Sequence, residues 1–153
     1  MMIPEDIYSQ IVCLMPIPCV DILVEDEQGR ILLVKRADEP AKGQWWFPGG
    51  RIHFLETRID AATRKLSEEC GFDTISLIEL GTYDVIVSIS GNTGQSHGIT
   101  TLFCAKYKKG MNLHLDAQSS SADWRLPDEW LKEELYPFVR QSLHVFMRRI
   151  YKP

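Results

Sequence analysis

A chain of 153 residues is long enough for one domain with a sizeable core. Hydrophobic residues at 44% and charged residues at 25% are ordinary for a globular fold, and a net charge of −4 excludes a general electrostatic drive toward nucleic acid. No apolar run approaches the ~18 residues of a membrane span, and the N-terminus, with Glu5 and Asp6 and no basic stretch, is not expected to be a signal peptide.

Residues 4–14 read as a short helix or strand packed on the body. Cys19–Val24 and Ile31–Val34 are β-branched and aliphatic runs on either side of Asp26-Glu27-Gln28-Gly29, which predicts a hairpin. Residues 37–44 form a polar loop with Pro40 and Gly43, and Trp45-Trp46-Phe47 is a short strand leading into Pro48-Gly49-Gly50. Ile75–Ile89 is rich in β-formers and interrupted by Gly81; Ser90–Gly98, with three glycines, is expected to be a flexible loop; Thr100–Tyr107 is another strand. Lys108–Ser121 is polar and expected to be irregular, Pro127–Leu131 starts a short helix, and Pro137 opens a final helix with Val139, Leu143, Phe146, Met147 and Ile150 on one face. Mixed strands with helices packed on them predict an α/β sandwich in a single domain, residues 1–153. Cys13, Cys19, Cys70 and Cys104 lack metal-ligand spacing and read as reduced thiols of a cytoplasmic protein, and His53, His97, His114 and His144 are too scattered for a zinc site.

The most informative segment is residues 50–72. Thr57 followed by Asp60 fits a capping box, so a helix should start near Arg58. Ile59, Ala62, Leu66 and Cys70 recur at helical spacing as an apolar face, and Gly71 stands where a left-handed C-cap is required. Asp60, Arg64 and Glu68 share one side of the polar face, with Glu69 one step around. Two adjacent carboxylates on a rigid surface are hard oxygen donors suited to magnesium or manganese, which bind through a few protein oxygens, several waters and substrate phosphates. The bland alternative, a solvated charged face, does not account for Gly50, Glu56, Arg64, Glu68, Glu69 and Gly71 falling together.

Those spaced residues resemble the Nudix box, in which Gly, five residues, Glu, seven residues, Arg-Glu, an aliphatic, any residue, Glu-Glu, any residue and Gly follow in order. Lys65 stands where the box has Glu. The resemblance implies the Nudix α-β-α sandwich with a mixed central sheet, and a metal site for cutting nucleoside diphosphate derivatives. Val20–Val24, Gly29–Arg36 and Pro40–Arg51 are further similar to the GDP-mannose mannosyl hydrolase branch, which also lacks the Glu at the position of Lys65. In that branch water attacks the sugar carbon and GDP leaves.

The resemblance implies that Glu69, Glu68, the backbone carbonyl of Gly49 and Gln118 hold the metal, that Arg36 and Arg51 touch the leaving diphosphate, and that Asp21 lies on the sugar side. Arginine suits the diphosphate because its planar fork donates to two phosphate oxygens at once; the alternative for Arg36 is a strand end snorkelling to water. An edge-strand salt bridge is the alternative for Asp21. Arg64 is expected to orient the helix carboxylates. Trp45 and Trp46 have a base-stacking reading and a core reading, the latter favoured for at least one of them. Ser119 occupies the place of the branch's His base, and a hydroxyl is no base near neutral pH without help; His97, His114 and Asp116 are the candidate substitutes, with His97, on its glycine-rich loop, the expected one and His53 its nearest rival. Lys65 either pairs with Glu69 on an inert surface or points at the site, where it repels a second metal and attracts phosphate. The expected partners are a small nucleoside diphosphate derivative and a second copy of the chain. Two other readings stay open: a pyrophosphohydrolase attacking phosphorus, and a weakly active nucleotide-binding module.

Overall fold

Two central strands set the layers. β1 (Ile17–Glu25) and β2 (Ile31–Arg36) are joined by a turn in which Asp26 Oδ1 accepts from the backbone N–H groups of Gln28 and Arg30 and Gly29 takes φ 76°. Side chains alternate across them. Val20, Ile22, Val24, Leu32 and Val34 face one side; Leu23, Ile31 and Leu33 face the other. Both sets are buried, so the strands need a helix on each face.

The computed structural model describes residues 2–73, 76–89, 94–109, 111–117 and 119–150. The remaining elements are α1 (Glu5–Leu14), β3 (Trp45–Trp46), β4 (Gly49–Arg51), α2 (Arg58–Cys70), β5 (Leu77–Ser88), β6 (Gln95–Lys106), β7 (Ser119–Arg125), α3 (Pro127–Trp130) and α4 (Pro137–Ile150). The mixed sheet runs β3-β2-β1-β6-β5, with β4 also on β1 and β7 also on β2. β6 runs parallel to β1 along the whole strand, and β5 and β6 form a long antiparallel hairpin. α2 packs Ala61, Ala62, Leu66 and Cys70 on one face; Trp130 of α3 and Val139, Leu143 and Phe146 of α4 fill the other, where Trp130 Nε1 donates to the Ile31 carbonyl at 2.8 Å. This is the expected α/β sandwich. Among the described residues no helix is long and apolar enough to cross a membrane.

The feature that positions the site is a split between β1 and β2. They pair only at Val24↔Leu32 and Glu25↔Ile31, then diverge. Residues 45–51 fill the opening: β3 pairs with β2 at Val34 and Lys35, and β4 pairs with β1 at Cys19–Asp21. A Cβ at Gly49 would lie 2.7 Å from Asp21 Oδ1, so only glycine lets β4 approach this closely.

α2 begins and ends as its sequence dictates. Thr57 Oγ1 accepts from the Asp60 N–H, and Gly71 adopts φ 69°, its N–H returning to Ser67 while Phe72 N–H reaches Leu66. Its buried face differs from expectation. Ile59 is 57% exposed, and Lys65 and Glu69 are buried in its place, because β4 covers the column of Ala61, Lys65 and Glu69. Two other expectations are corrected. The expected loop Ser90–Gly98 is already strand from Gln95, because Gln95–Gly98 pairs with Val85–Ser88 and Gly98 also pairs with Ile17; residues 90–93 lie outside the described residues. The expected irregular stretch Lys108–Ser121 ends in β7, polar in sequence but paired along β2 from Ile31 to Arg36. Gly81 does not end β5; it marks a shift in register within it.

Candidate active site

The split opens into a cleft with two lobes. The first, about 640 Å³, is lined by Arg64, Lys65, Glu68 and Glu69 of α2, by Gly49–Arg51 and His53, and by Tyr8 and Ser119. The second, about 300 Å³, is lined by Cys19, Asp21, Trp46, Val85, Val87 and Thr100. Tyr8, Arg36, Glu39, Gly49, Gly50 and Arg51 line both. The two arginines therefore stand at the seam. Arg36 Nε donates to the Pro40 carbonyl at 2.7 Å, and Arg51 lies over the Tyr8 ring at 4.7 Å. Among the described residues neither has a carboxylate at salt-bridge distance, leaving their charge toward the cleft.

The α2 side holds two acid–base pairs. Arg64 grips Glu56 with a fork, Nε to Oε1 at 2.6 Å and Nη2 to Oε2 at 2.8 Å. It also donates to the Arg51 carbonyl at 3.0 Å and to Glu68 at 3.2 Å. Glu56 accepts in addition from the His53 N–H at 2.8 Å. Hydrogen bonds from Arg64 hold the Glu56 carboxyl down at about 2. Glu69 is different. Burial raises its pKa, against the pull of Lys65, whose Nζ lies 2.5 Å from Oε1; its Oε2 accepts from the Gly49 N–H at 3.1 Å. Glu68 is half exposed at the mouth, and Asp116 is close enough to act on Glu69 electrostatically.

In the second lobe Asp21 is buried. Thr100 Oγ1 donates to its Oδ2 at 2.6 Å and Trp46 Nε1 to its Oδ1 at 3.1 Å. Burial outweighs both and pushes the carboxyl up to about 7, so it exchanges a proton near neutrality. Burial likewise pushes the Cys19 thiol up to about 12, which keeps it protonated and unreactive.

The structure thus brings Asp21, Arg36, Gly49, Arg51, Arg64, Glu68 and Glu69 around one cleft. Gly49 enters it with its N–H on Glu69. Gln118 lies outside the described residues. His97 is not on a loop that closes over the cleft: it sits on β6 opposite Ile86, Nε2 3.5 Å from Asp84 Oδ1, and lines neither lobe. His53, which lines the first lobe, is the nearer imidazole. Trp46 is a core residue at 6% exposure with its indole N–H on Asp21, while Trp45 packs against Trp130 at 5.1 Å. Sequence reasoning missed Tyr8 and Thr100, which carry no local signal; the two readings of Lys65 meet in one geometry, since it pairs with Glu69 and also lines the first lobe.

The donor set bears on a metal. Among the described residues no three His, Cys, Asp or Glu side chains gather as a metal cluster. Glu68 and Glu69 nonetheless suffice for magnesium, which takes one or two carboxylates and completes its shell with water and substrate phosphates.

The NUDIX domain family model matches residues 15–146. The chain is similar to the low-salt glycan biosynthesis protein Agl8 of Haloferax volcanii, 34% identical over 143 residues that cover 92% of this chain and 88% of that protein. An RNA pyrophosphohydrolase of Novosphingobium aromaticivorans is 29% identical over 147 residues, 88% of this chain and 87% of that one. Among solved structures, the MutT protein from Methanosarcina mazei Go1 superposes with a TM-score of 0.77 at 22% identity, covering 91% of this chain and 99% of that one. The NUDIX domain of Shewanella oneidensis NrtR, complexed with ADP ribose, gives 0.73 at 20% identity, covering 97% and 99%. A family model spanning most of the chain and a relative a third identical along nearly all of it place this chain in the Nudix family.

Proposed function

We propose that this chain is a magnesium- or manganese-dependent hydrolase of a nucleoside diphosphate sugar, of the GDP-mannose or GDP-glucose kind, releasing GDP and free sugar. The carrying observation is the pair Arg36 and Arg51 at the seam of two chemically different lobes. A diphosphate gripped there has the α2 carboxylates on one side and the buried Asp21 on the other. Glu69 and Glu68 would hold the metal, which when bound supplies positive charge against the diphosphate. The chain's own residues do the rest. The arginines fix the phosphates and stabilise charge on the leaving group. Asp21, with a pKa near neutrality, donates a hydrogen bond or proton inside the smaller lobe. Arg64 ties the Glu56 loop to β4 and so fixes the wall that carries Arg51. For water activation His53 is the imidazole at hand in the first lobe.

The name of the Haloferax relative, a glycan biosynthesis protein, and the ADP ribose held by the NrtR domain agree with a sugar-bearing nucleoside diphosphate ligand. A second reading, attack at phosphorus, is favoured by the pyrophosphohydrolase relative and by Glu68 and Glu69 facing the same lobe. The proposal includes a single-domain, cytoplasmic homodimer, the dimer measurable by analytical ultracentrifugation. The test is a panel of nucleoside diphosphate sugars with magnesium and chromatographic identification of products. GDP plus free sugar supports the proposal, GMP plus sugar phosphate supports the second reading, and binding without turnover makes the chain a nucleotide-binding module.

A further inference from the structure

Both oxygens of Glu69 already have partners. The Gly49 N–H on Oε2 belongs to strand β4 and is fixed by the sheet. The Lys65 ammonium on Oε1 sits at the end of a four-carbon stem with several rotatable bonds. The two side chains are 7% and 5% exposed, so this is an internal charge pair and not a surface contact. Lys65 Nζ also lies 3.6 Å from Glu68 Oε2, which places the ammonium between the two carboxylates that a metal would use. The backbone makes room for it. A Cβ at Gly50 would fall 2.9 Å from Lys65 Cε and 3.4 Å from Nζ, so the absence of a side chain at 50 is what lets the lysine lie across β4. The same residue lines the first lobe beside Arg36 and Arg51.

We propose that Lys65 is the resident cation of this site: in the free protein its ammonium holds the place of the divalent metal between Glu68 and Glu69, and metal enters together with a nucleoside diphosphate, whose phosphates receive the displaced ammonium. The inference rests on the reading of the cleft as a metal–diphosphate site. It follows from charge. A divalent ion arriving alone must expel a buried ammonium into a lobe that already carries Arg36 and Arg51, neither of them at salt-bridge distance from a carboxylate among the described residues. An ion arriving with a diphosphate brings the anion that those three cations then share. The protein is thereby selective for the metal–nucleotide complex over either component.

The test is manganese binding followed by electron paramagnetic resonance on the full chain, without and with GDP, for the unaltered protein, Lys65→Met and Lys65→Gln. Each neutral variant is expected to bind manganese at least about tenfold more tightly than the unaltered protein when GDP is absent, since no charge need be displaced. GDP is expected to tighten manganese binding more in the unaltered protein than in either variant. Manganese is also expected to raise the melting temperature of the variants, whose Glu69 has lost its counter-ion, and to leave that of the unaltered protein nearly unchanged. Tight manganese binding by the unaltered protein without GDP overturns the inference and leaves the metal site standing. So do equal affinities in all three proteins. An absence of manganese binding in every protein even with GDP overturns the metal reading of the cleft and this inference together.

Discussion

Arg64 and Lys65 are neighbours on α2, and each meets a glutamate. The Arg64 fork satisfies both oxygens of Glu56, drives its carboxyl down to about 2, and adds a bond to the Arg51 carbonyl. Lys65 makes a point contact to Glu69, whose carboxyl burial raises in spite of it. The difference lies in geometry and solvent. A planar fork matched to a carboxylate in a half-open loop gives a fixed latch. An ammonium on a flexible stem, facing a buried carboxylate, gives a pair that can exchange partners. One helix turn thus carries an architectural pair and an exchangeable one.

The largest expected effect is at the exchangeable pair. Glu69→Gln removes a metal donor without changing shape, and kcat with magnesium should fall by roughly 10²–10³-fold, the scale of losing one preorganised electrostatic contact. Full activity of the unaltered protein in a chelator contradicts the role given to Glu69. The architectural pair should answer in stability. Arg64→Ala leaves a partly buried Glu56 without its fork and should cost about 2 kcal/mol, or roughly 5 °C in melting temperature by calorimetry. Arg64→Lys should recover little, because a point charge does not replace the fork.

The seam arginines sharpen the contrast. Arg36→Ala and Arg51→Ala should each lower kcat/KM by roughly tenfold to several hundredfold, about 1.5–3 kcal/mol per charge-assisted contact, with little change in folding. A large fall in melting temperature with normal kinetics would assign them to the framework instead.

The smallest effects are in pH. Glu56 has its folded pKa lowered, so the stability it contributes is present above about 4.5 and is lost as pH falls through about 2. Asp21 has its folded pKa raised, so its contribution is full below about 3.8 and is lost as pH rises through about 7. Asp21→Asn should flatten the decline between those values, measured by denaturant unfolding across that range; an unchanged slope would place the titration elsewhere.

What was legible in the sequence was local. Thr57 and Gly71 announce the ends of α2, and Asp26–Gly29 announces the β1–β2 turn, because backbone groups near in sequence satisfy one another there. The fold class followed from mixed strands with helices packed on them. What was hidden depended on partners far along the chain. β7 is three serines, an alanine and an aspartate before its first aromatic, and it is a strand only because β2 offers an open edge. His97 sits among glycines and polar residues, yet β5 and β1 hold the start of β6 extended. For Lys65 the sequence left a surface pair with Glu69 and a place in the site both open, and its burial needs β4 laid over α2 with glycine at 50. In the cleft, the Nudix-like spacing singled out Glu56, Arg64, Glu68 and Glu69, whereas Thr100 reaches Asp21 from a strand 79 residues away. No periodicity encodes that contact.

The most direct measurement of the proposed chemistry is turnover of GDP-mannose with magnesium in water labelled with heavy oxygen, with mass spectrometry of both products. Attack at the sugar carbon predicts that the label appears in the free sugar and that GDP is unlabelled. Label in GMP or in a sugar phosphate would contradict it and assign the cleft to attack at phosphorus.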